Sequence, residues 1–328
     1  KHYQEAVGYI QKALEHEPKA LYYFNLGVAF RRLDKLKEAV ESYQACLKLD
    51  KNMARAWGNL GNIFKTIGQY DKAQECYEYT IKLEPNNALA HYNLAVIYHI
   101  KEAYTEAIQA YRKTIKLDPT HAKAHCNLGA LYSKLRRYEK SLPFYEKALE
   151  LDNKLFDGYS NYGGTLIELG RLEEAENYLR KALKLEPGSC ATLRNITLCK
   201  TYVDAKDNDA QYALKLLENP KLSEEDKVHL YFALGKIYDD TKQYDKAIFH
   251  YHKGNALHYQ KNPFNMFGLQ DYVRRVVQVF DDTFVISHRN KAKSNIQPLL
   301  ILGAPRSGKS ILERLLRMHP EIEGAGEV

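Results

Sequence analysis

Cysteine is scarce in this sequence, and the few present form no recognisable site. The 328 residues include five cysteines, an odd number, and none lies in a Cys-x-x-Cys pair. A disulfide framework or a structural zinc site needs paired, regularly spaced cysteines. The pattern therefore predicts reduced, partly buried thiols, no metal ion and a cytoplasmic protein.

Long apolar runs and dense basic runs are also lacking. A membrane-spanning helix needs about 20 consecutive apolar residues, and this chain has no such run. Its net charge of +7 is spread over many lysines and arginines, whereas nucleic-acid binding favours a concentrated basic patch. We therefore predict no transmembrane segment and no nucleic-acid partner. The sequence begins at Lys1, without methionine, and we expect the natural N-terminus to lie upstream.

Tyrosine, in contrast, is abundant, and many tyrosines fall in a repeated pattern. One complete copy of this pattern consists of Trp57, Leu60, Gly61, Phe64, Ala73, Tyr77 and Pro85. Equivalent residues return 34 positions later at His91, and again at His125 and Tyr159. This pattern and period are typical of tetratricopeptide repeats, in which each unit is a pair of helices. Stacked pairs form a right-handed superhelix with a concave inner side.

The repeat register sets the predicted domain boundaries. It weakens after Pro187, where residues 204–209 form a polar interruption, and it returns at Tyr231. We predict a repeat domain over residues 1–258, with seven to eight repeats, the first incomplete and one divergent near 190–222. A polar linker and a connecting helix follow over residues 259–296, with the helix from Leu269 to Phe280. The last segment, 297–328, belongs to a different domain.

An asparagine recurs at one position of the first helix of the repeats. The six residues are spaced by 34: Asn25, Asn59, Asn93, Asn127, Asn161 and Asn195. Each amide can donate and accept a hydrogen bond, so a row of them can hold an extended peptide backbone in the concave groove. The row resembles the asparagine ladders of O-GlcNAc transferases. An equally open interpretation is that these asparagines hold neighbouring helices together.

Recurring basic groove residues would instead indicate an adaptor that clamps a peptide carboxylate. Arg32 and Lys134 occupy equivalent positions, but Thr66 and Ile100 stand between them. This interruption makes the carboxylate-clamp interpretation the weaker one.

The last segment contains a strand, a glycine loop and a helix start, the context of a phosphate-binding loop. Apolar residues 299–302 predict a buried strand, and residues 310–318 predict a helix. Backbone amides at such a helix N-terminus, together with the helix dipole, favour an anion. The proposed anion-binding residues are Pro305, Arg306, Ser307, Gly308, Lys309 and Ser310.

This segment resembles the start of a sulfotransferase domain, and more narrowly the sulfotransferases that carry tetratricopeptide repeats before their catalytic domain. The resemblance rests on Pro305 to Gly308, on His319-Pro320 and on Gly324 to Glu327; residues 253–257 also resemble the last repeat of that family. It implies that the loop binds the co-substrate PAPS (3′-phosphoadenosine-5′-phosphosulfate) and that a sulfuryl group passes to an acceptor hydroxyl or amine.

The resemblance also implies two catalytic residues. Lys309 would stabilise charge that develops on the leaving phosphate, and Glu327 matches the family glutamate that serves as general base. The family pattern has threonine or serine where this chain has Lys309. That departure leaves an ordinary P-loop nucleotide-binding protein open, because Gly303-x4-Gly308-Lys309-Ser310 also fits the Walker A pattern.

The predicted fold class is therefore mainly α: a tetratricopeptide α-solenoid followed by the first strand, loop and helix of an α/β, P-loop-like sulfotransferase domain. A complete catalytic domain needs about two hundred further residues, so we expect this chain to be an inactive fragment of such an enzyme. The expected partners are a protein or peptide in the groove and the nucleotide co-substrate. The alternative is a non-catalytic interaction scaffold.

Overall fold

The computed structural model describes residues 2–261, 263 and 266–279, and this part of the chain contains helices and no strand. The chain divides into two units, Lys1–Asn262 and Pro263–Val328. The helices of the first unit are α1 Tyr3–His16, α2 Ala20–Arg32, α3 Leu36–Leu49, α4 Ala54–Thr66, α5 Tyr70–Leu83, α6 Ala88–Ile100, α7 Tyr104–Leu117, α8 Ala122–Lys134, α9 Tyr138–Leu151, α10 Phe156–Glu168, α11 Leu172–Leu185, α12 Cys190–Cys199, α13 Asn208–Leu217, α14 Glu224–Asp240 and α15 Tyr244–Lys261. In the second unit, the described helix is α16 Met266–Val279.

After α1, the helices of the first unit form pairs in which the even-numbered helix comes first. In the regular part, a first helix of 13 residues is followed by a second helix of 14 residues, as in α4 and α5. Each pair has an apolar side that it cannot bury alone. The next pair covers this side, so a core runs along the stack.

A small residue on the first helix faces a large one on the second helix of the same pair. A Cβ atom on Gly61 would lie 2.9 Å from Tyr77 Cε1, and one on Gly27 would lie 2.7 Å from Tyr43 Cε1. Both tyrosines are fully buried. At these two positions the tyrosine ring occupies the space that a side chain would need.

The two helices of a pair are joined by a turn with one residue of left-handed backbone. These residues have φ between 55° and 76° and, in the regular repeats, are spaced by 34: Asp34, Gly68, Glu102, Arg136 and Gly170. Glycine adopts this conformation without the steric cost that a Cβ atom brings. The turn geometry is therefore conserved along the stack, although only two copies carry glycine.

The divergent stretch differs from the prediction at its end. Residues 204–207 lie between α12 and α13, as the predicted polar interruption requires, but Asp209 lies inside α13 and its side chain is 5% exposed. Arg180 on α11 binds its carboxylate through two nitrogens, at 2.5 and 2.7 Å, and the Tyr202 hydroxyl donates to it at 2.8 Å. A buried carboxylate is stable when it is paired and hydrogen-bonded in this way. The polar residues thus fasten the divergent stretch to the preceding repeat.

Other boundaries agree with the sequence or move by a few residues. As predicted, Ser223 caps α14, and its hydroxyl accepts a hydrogen bond from the Asp226 backbone amide at 3.0 Å. Helix α15 continues to Lys261, past the predicted repeat boundary at residue 258. Helix α16 begins at Met266, three residues before the predicted start. The predicted strand, loop and helix of residues 297–328 lie outside the described residues.

Of the described helices, none is both long and apolar enough to cross a membrane.

Candidate functional site

The first helices of successive pairs lie side by side. On α10, the Thr165 hydroxyl donates to Ser133 Oγ of α8 at 2.9 Å, and Ser160 Oγ lies 3.5 Å from Thr192 Oγ1 of α12. We call the side formed by α2, α4, α6, α8, α10 and α12 the inner face. In stacks of helix pairs, this side is the extended concave surface used for binding.

All six predicted asparagines lie on helices of the inner face, but their exposure differs. Asn25 and Asn161 are exposed, Asn59, Asn127 and Asn195 are half-buried, and Asn93 is 6% exposed. The row is therefore not uniform. A ligand could reach the exposed amides more readily than the buried one.

Three of these amides use a donor within the chain, and that of Asn161 makes the longest bond, to Cys126 Sγ at 4.0 Å. Asn59 Nδ2 donates to the Tyr43 hydroxyl of the preceding repeat at 3.2 Å, and Asn127 Nδ2 donates to the Tyr92 hydroxyl at 3.2 Å. These bonds link neighbouring repeats, as the second interpretation of the row expects. The peptide-binding role of the six asparagines stays a prediction.

Asn161 and Asn195 line a polar pocket of about 320 Å³ on the inner face. The pocket lies between α8, α10 and α12, and its walls include Ser133, Asn161, Thr165, Glu168 and Asn195. Hydroxyl, amide and carboxylate groups here offer both donors and acceptors. The pocket can therefore satisfy the amide and carbonyl groups of an extended peptide.

A second pocket, of about 670 Å³, is mainly apolar and lies among α3, α4 and α5. Its wall contains Trp57, which stacks on Tyr79 with a distance of 4.6 Å between ring centroids. Trp57 Nε1 donates to the Lys51 carbonyl at 3.0 Å. This pocket is formed largely by second helices and is separate from the asparagine row.

Family models of the tetratricopeptide repeat match residues 20–53, 59–122, 120–186 and 228–259. The chain belongs to the tetratricopeptide repeat family. The matches cover the regular repeats and the repeat formed by α14 and α15, and they leave out the divergent stretch between them.

Similar solved structures include PilF, which shows the same fold. PilF of Pseudomonas aeruginosa superposes with a TM-score of 0.55 at 17% identity, over 75% of this chain and 99% of that protein. YrrB, described as a TPR protein with an unusual peptide-binding site, has a TM-score of 0.49 at 22% identity, over 56% of this chain and 95% of its own. MamA has a TM-score of 0.47 at 26% identity, over 51% of this chain and 92% of its own.

A curated relative is an uncharacterized protein of Aquifex aeolicus (strain VF5). It is 27% identical over 124 residues, which is 38% of this chain. The match spans 16% of the length of that protein.

The repeats also carry a basic row on the inner face that the sequence analysis missed. Arg31, Lys65 and His99 occupy the same position in α2, α4 and α6, and each follows the previous one by 34 residues. In the next two first helices the equivalent residues are Ser133 and Ile167. The row is therefore basic only in the amino-terminal half of the inner face.

Lys65 is the most enclosed cation of this row. It is half-buried, and its ammonium donates to Asn93 Oδ1 at 2.8 Å. Burial and the nearby charge of Arg31 lower the pKa of Lys65. The charge of Arg31 also reaches Tyr43 and Tyr77, where it opposes the rise in pKa that burial causes.

His99 differs from the other two members of the row. Burial and the charge of Lys134 lower the pKa of His99, which favours the neutral imidazole. The positive charge of this row is therefore carried by Arg31 and Lys65.

The regular spacing of this row was visible in the sequence. The neighbouring position, which contains Arg32, Thr66, Ile100 and Lys134, shows no such recurrence. Checking each position of the first helix at the 34-residue interval would have found Arg31 and Lys65. Their enclosure, however, depends on the packing of adjacent repeats.

The remaining predicted site residues cannot be placed by this structure. The proposed catalytic residues Lys309 and Glu327, and the anion-binding residues Pro305 to Ser310, lie outside the described residues. Within the described part, no group of three or more histidine, cysteine, aspartate or glutamate side chains could hold a metal ion. All five cysteines are buried, and burial raises the pKa of Cys76 and Cys126 to about 12. Such thiols are unreactive near neutral pH.

Proposed function

We propose that the first unit is a protein-interaction scaffold whose inner face binds an extended peptide segment of a partner. The observation that carries this proposal is the polar pocket, in which Asn161 and Asn195 from consecutive repeats face the same space. Amides spaced along a groove can bind successive peptide groups, and backbone hydrogen bonding of this kind gives affinity without a strict sequence requirement.

The test begins with selection of random 12-residue peptides on the full chain. The selected peptides are then measured against the double variant Asn161→Ala, Asn195→Ala. Each hydrogen bond that is lost should weaken binding by about 1 kcal/mol, so we expect a Kd increase of roughly tenfold or more.

Asn177→Ala is the matched control, because Asn177 is exposed on α11, the second helix of the same repeat as Asn161. It should leave the Kd unchanged. Peptides that bind the double variant as tightly as the original chain would contradict the proposal, and so would the failure of any peptide to be selected.

We further propose that the full-length protein is a PAPS-dependent sulfotransferase in which the repeats present a partner or acceptor to the catalytic domain. The support is the motif from Pro305 to Ser310, together with Glu327. Arg306 and Lys309 would bind the phosphosulfate group, and Glu327 would accept the proton of the acceptor.

The decisive test uses the chain extended to its natural C-terminus. Calorimetry with adenosine 3′,5′-bisphosphate should show binding, and Lys309→Ala should weaken it, because a fixed cation at phosphate is removed. Preference for ATP–Mg²⁺ would instead place the protein among the P-loop nucleotide-binding proteins. Binding of neither nucleotide would contradict both interpretations and leave the interaction scaffold.

A further inference from the structure

The amino-terminal half of the inner face holds two cations, Arg31 and Lys65. Within the described part of the chain, neither Arg31 nor Lys65 makes an ion pair with a carboxylate. This contrasts with Lys101, Lys134 and Arg180, which pair with acids in other repeats at 2.7, 3.6 and 2.5 Å.

The surroundings of Lys65 make this lack of a partner costly. Its ammonium is half-buried and its hydrogen-bond acceptor is Asn93, an uncharged amide that is itself buried. Arg31, one repeat away, adds a like charge near enough to act on Lys65. A half-buried ammonium without a counter-ion destabilises the free protein. Such an arrangement is stabilised when an anion binds to both.

The neighbouring groups indicate what kind of anion fits. Asn62 on α4 accepts a hydrogen bond from the Tyr77 hydroxyl at 2.8 Å, and Asn59 donates to Tyr43 at 3.2 Å. Both amides lie on α4, the helix of Lys65, whereas the two tyrosine hydroxyls come from the buried side of α3 and α5. A carboxylate carried by a peptide could therefore bind the cations while its backbone follows the amides.

We propose that the segment bound by the inner face is acidic, and that a side-chain carboxylate of this segment binds Arg31 and Lys65. This inference rests on the proposed peptide-binding function. It fixes the orientation of the ligand in the groove, because the acidic part of the ligand lies against α2 and α4. The part that lies against α8, α10 and α12 meets the polar pocket with Glu168, where an acidic ligand residue would be repelled.

The experiment uses the same random 12-residue library and the full chain. Selected peptides should be enriched in aspartate and glutamate relative to the library. Each selected peptide is then remade with its acidic residues replaced by the isosteric amides. This replacement should raise Kd about tenfold or more, as expected for charge-assisted hydrogen bonds, and added salt should weaken binding of the acidic form only.

Variants of the protein test whether the affinity for acidic peptides depends on the charge of Lys65. Lys65→Met keeps the aliphatic chain but removes the charge, and it should raise Kd for the acidic peptides and not for their amide forms. Lys65→Arg should retain most of the affinity. Lys82→Met removes an exposed lysine from α5 and should leave both affinities unchanged. A loss of folding would appear equally with both peptide forms, so the difference between them isolates the charge.

The outcomes separate this inference from the function on which it rests. Peptides without acidic enrichment that lose affinity with Asn161→Ala, Asn195→Ala would support peptide binding and overturn the acidic partner. Acidic peptides that bind Lys65→Met as tightly as the original chain would also overturn it. Selection of no peptide would overturn both proposals.

Discussion

Two adjacent glycines in α10 show how a single residue sets the distance between the helices of a pair. A Cβ atom on Gly163 would lie 2.5 Å from Leu179 Cγ and 3.3 Å from the Ala175 carbonyl oxygen, whereas one on Gly164 would meet nothing within 4 Å. Leu179 is fully buried. The same substitution should therefore have opposite effects at neighbouring positions.

We predict that Gly163→Ala destabilises the protein by about 1–2 kcal/mol, since overpacking outweighs the gain in helix propensity. Gly164→Ala should stabilise it by up to about 1 kcal/mol, because alanine favours the helix and the site is open. Denaturant unfolding followed by circular dichroism measures both. A shift of the two variants in the same direction would show that Leu179 does not determine this helix spacing.

The turn residues show that residue type alone does not predict the left-handed backbone conformation. Gly68 and Gly170 suggest a left-handed turn from sequence alone, but Asp34, Glu102 and Arg136 adopt the same conformation. Their conformation follows from the helix packing on either side. Local sequence rules could not predict it at these three positions.

At the scale of the element, the irregular pair α12–α13 depends on one buried carboxylate. Asp209 lies in the first turn of α13 and is bound by Arg180 of α11 and by Tyr202, with Lys200 Nζ at 3.3 Å. Burial opposes ionisation of Asp209, but the hydrogen bonds from Arg180 and Tyr202 and the charges of Arg180 and Lys200 hold its pKa below the usual value. The ionised form thus stabilises the folded chain.

We predict that Asp209→Asn lowers the free energy of unfolding at pH 7 by about 2–3 kcal/mol, since one partner of a buried pair is removed while Arg180 can still reach water. The folded-state pKa of Asp209 lies below its unfolded value of about 3.9. The contribution of Asp209 is therefore complete above that pH and is lost as the pH falls through the folded pKa.

The two chains should consequently converge in stability in acid. Asp239→Asn is the control, since Asp239 is exposed and has no ion pair within the described part of the chain. Unfolding curves at pH 7 and near pH 3 provide the measurement. An equal loss at both pH values would mean that the charge of Asp209 is not what stabilises α13.

The elements differ in how well the sequence predicted them. The regular pairs followed from the spacing of residues such as Leu60 and Tyr77, because the same packing recurs in each repeat. The place of Asp209 inside α13 did not follow from the sequence, because its carboxylate is stabilised by Arg180, 29 residues away. A polar residue whose partner is distant in sequence resembles a loop residue until the fold brings the two together.

At the scale of the whole molecule, stacking decides what the inner face can do. Sequence placed the six asparagines on one side of the first helices, but the bond from Asn59 to Tyr43 and the burial of Asn93 depend on contacts between repeats. The enclosure of Lys65 arises in the same way. Periodicity thus predicts which residues share a face, and packing determines which of them remain available to a ligand.

The same stacking leaves two candidate binding surfaces on the first unit. The inner face is polar, with the asparagine row, the pocket of about 320 Å³ and the basic pair. The pocket of about 670 Å³ beside Trp57 and Tyr79 is apolar. An extended peptide backbone needs hydrogen-bond partners along its length, and this requirement favours the inner face.

The measurement that tests peptide binding by the inner face most directly is photo-crosslinking of a selected peptide to the full chain, with the attachment sites mapped by mass spectrometry. The account predicts attachment to residues of α2, α4, α6, α8, α10 and α12, with acidic peptide positions nearest to α2 and α4. Attachment concentrated at the second helices α3 and α5, including Tyr79, would contradict it.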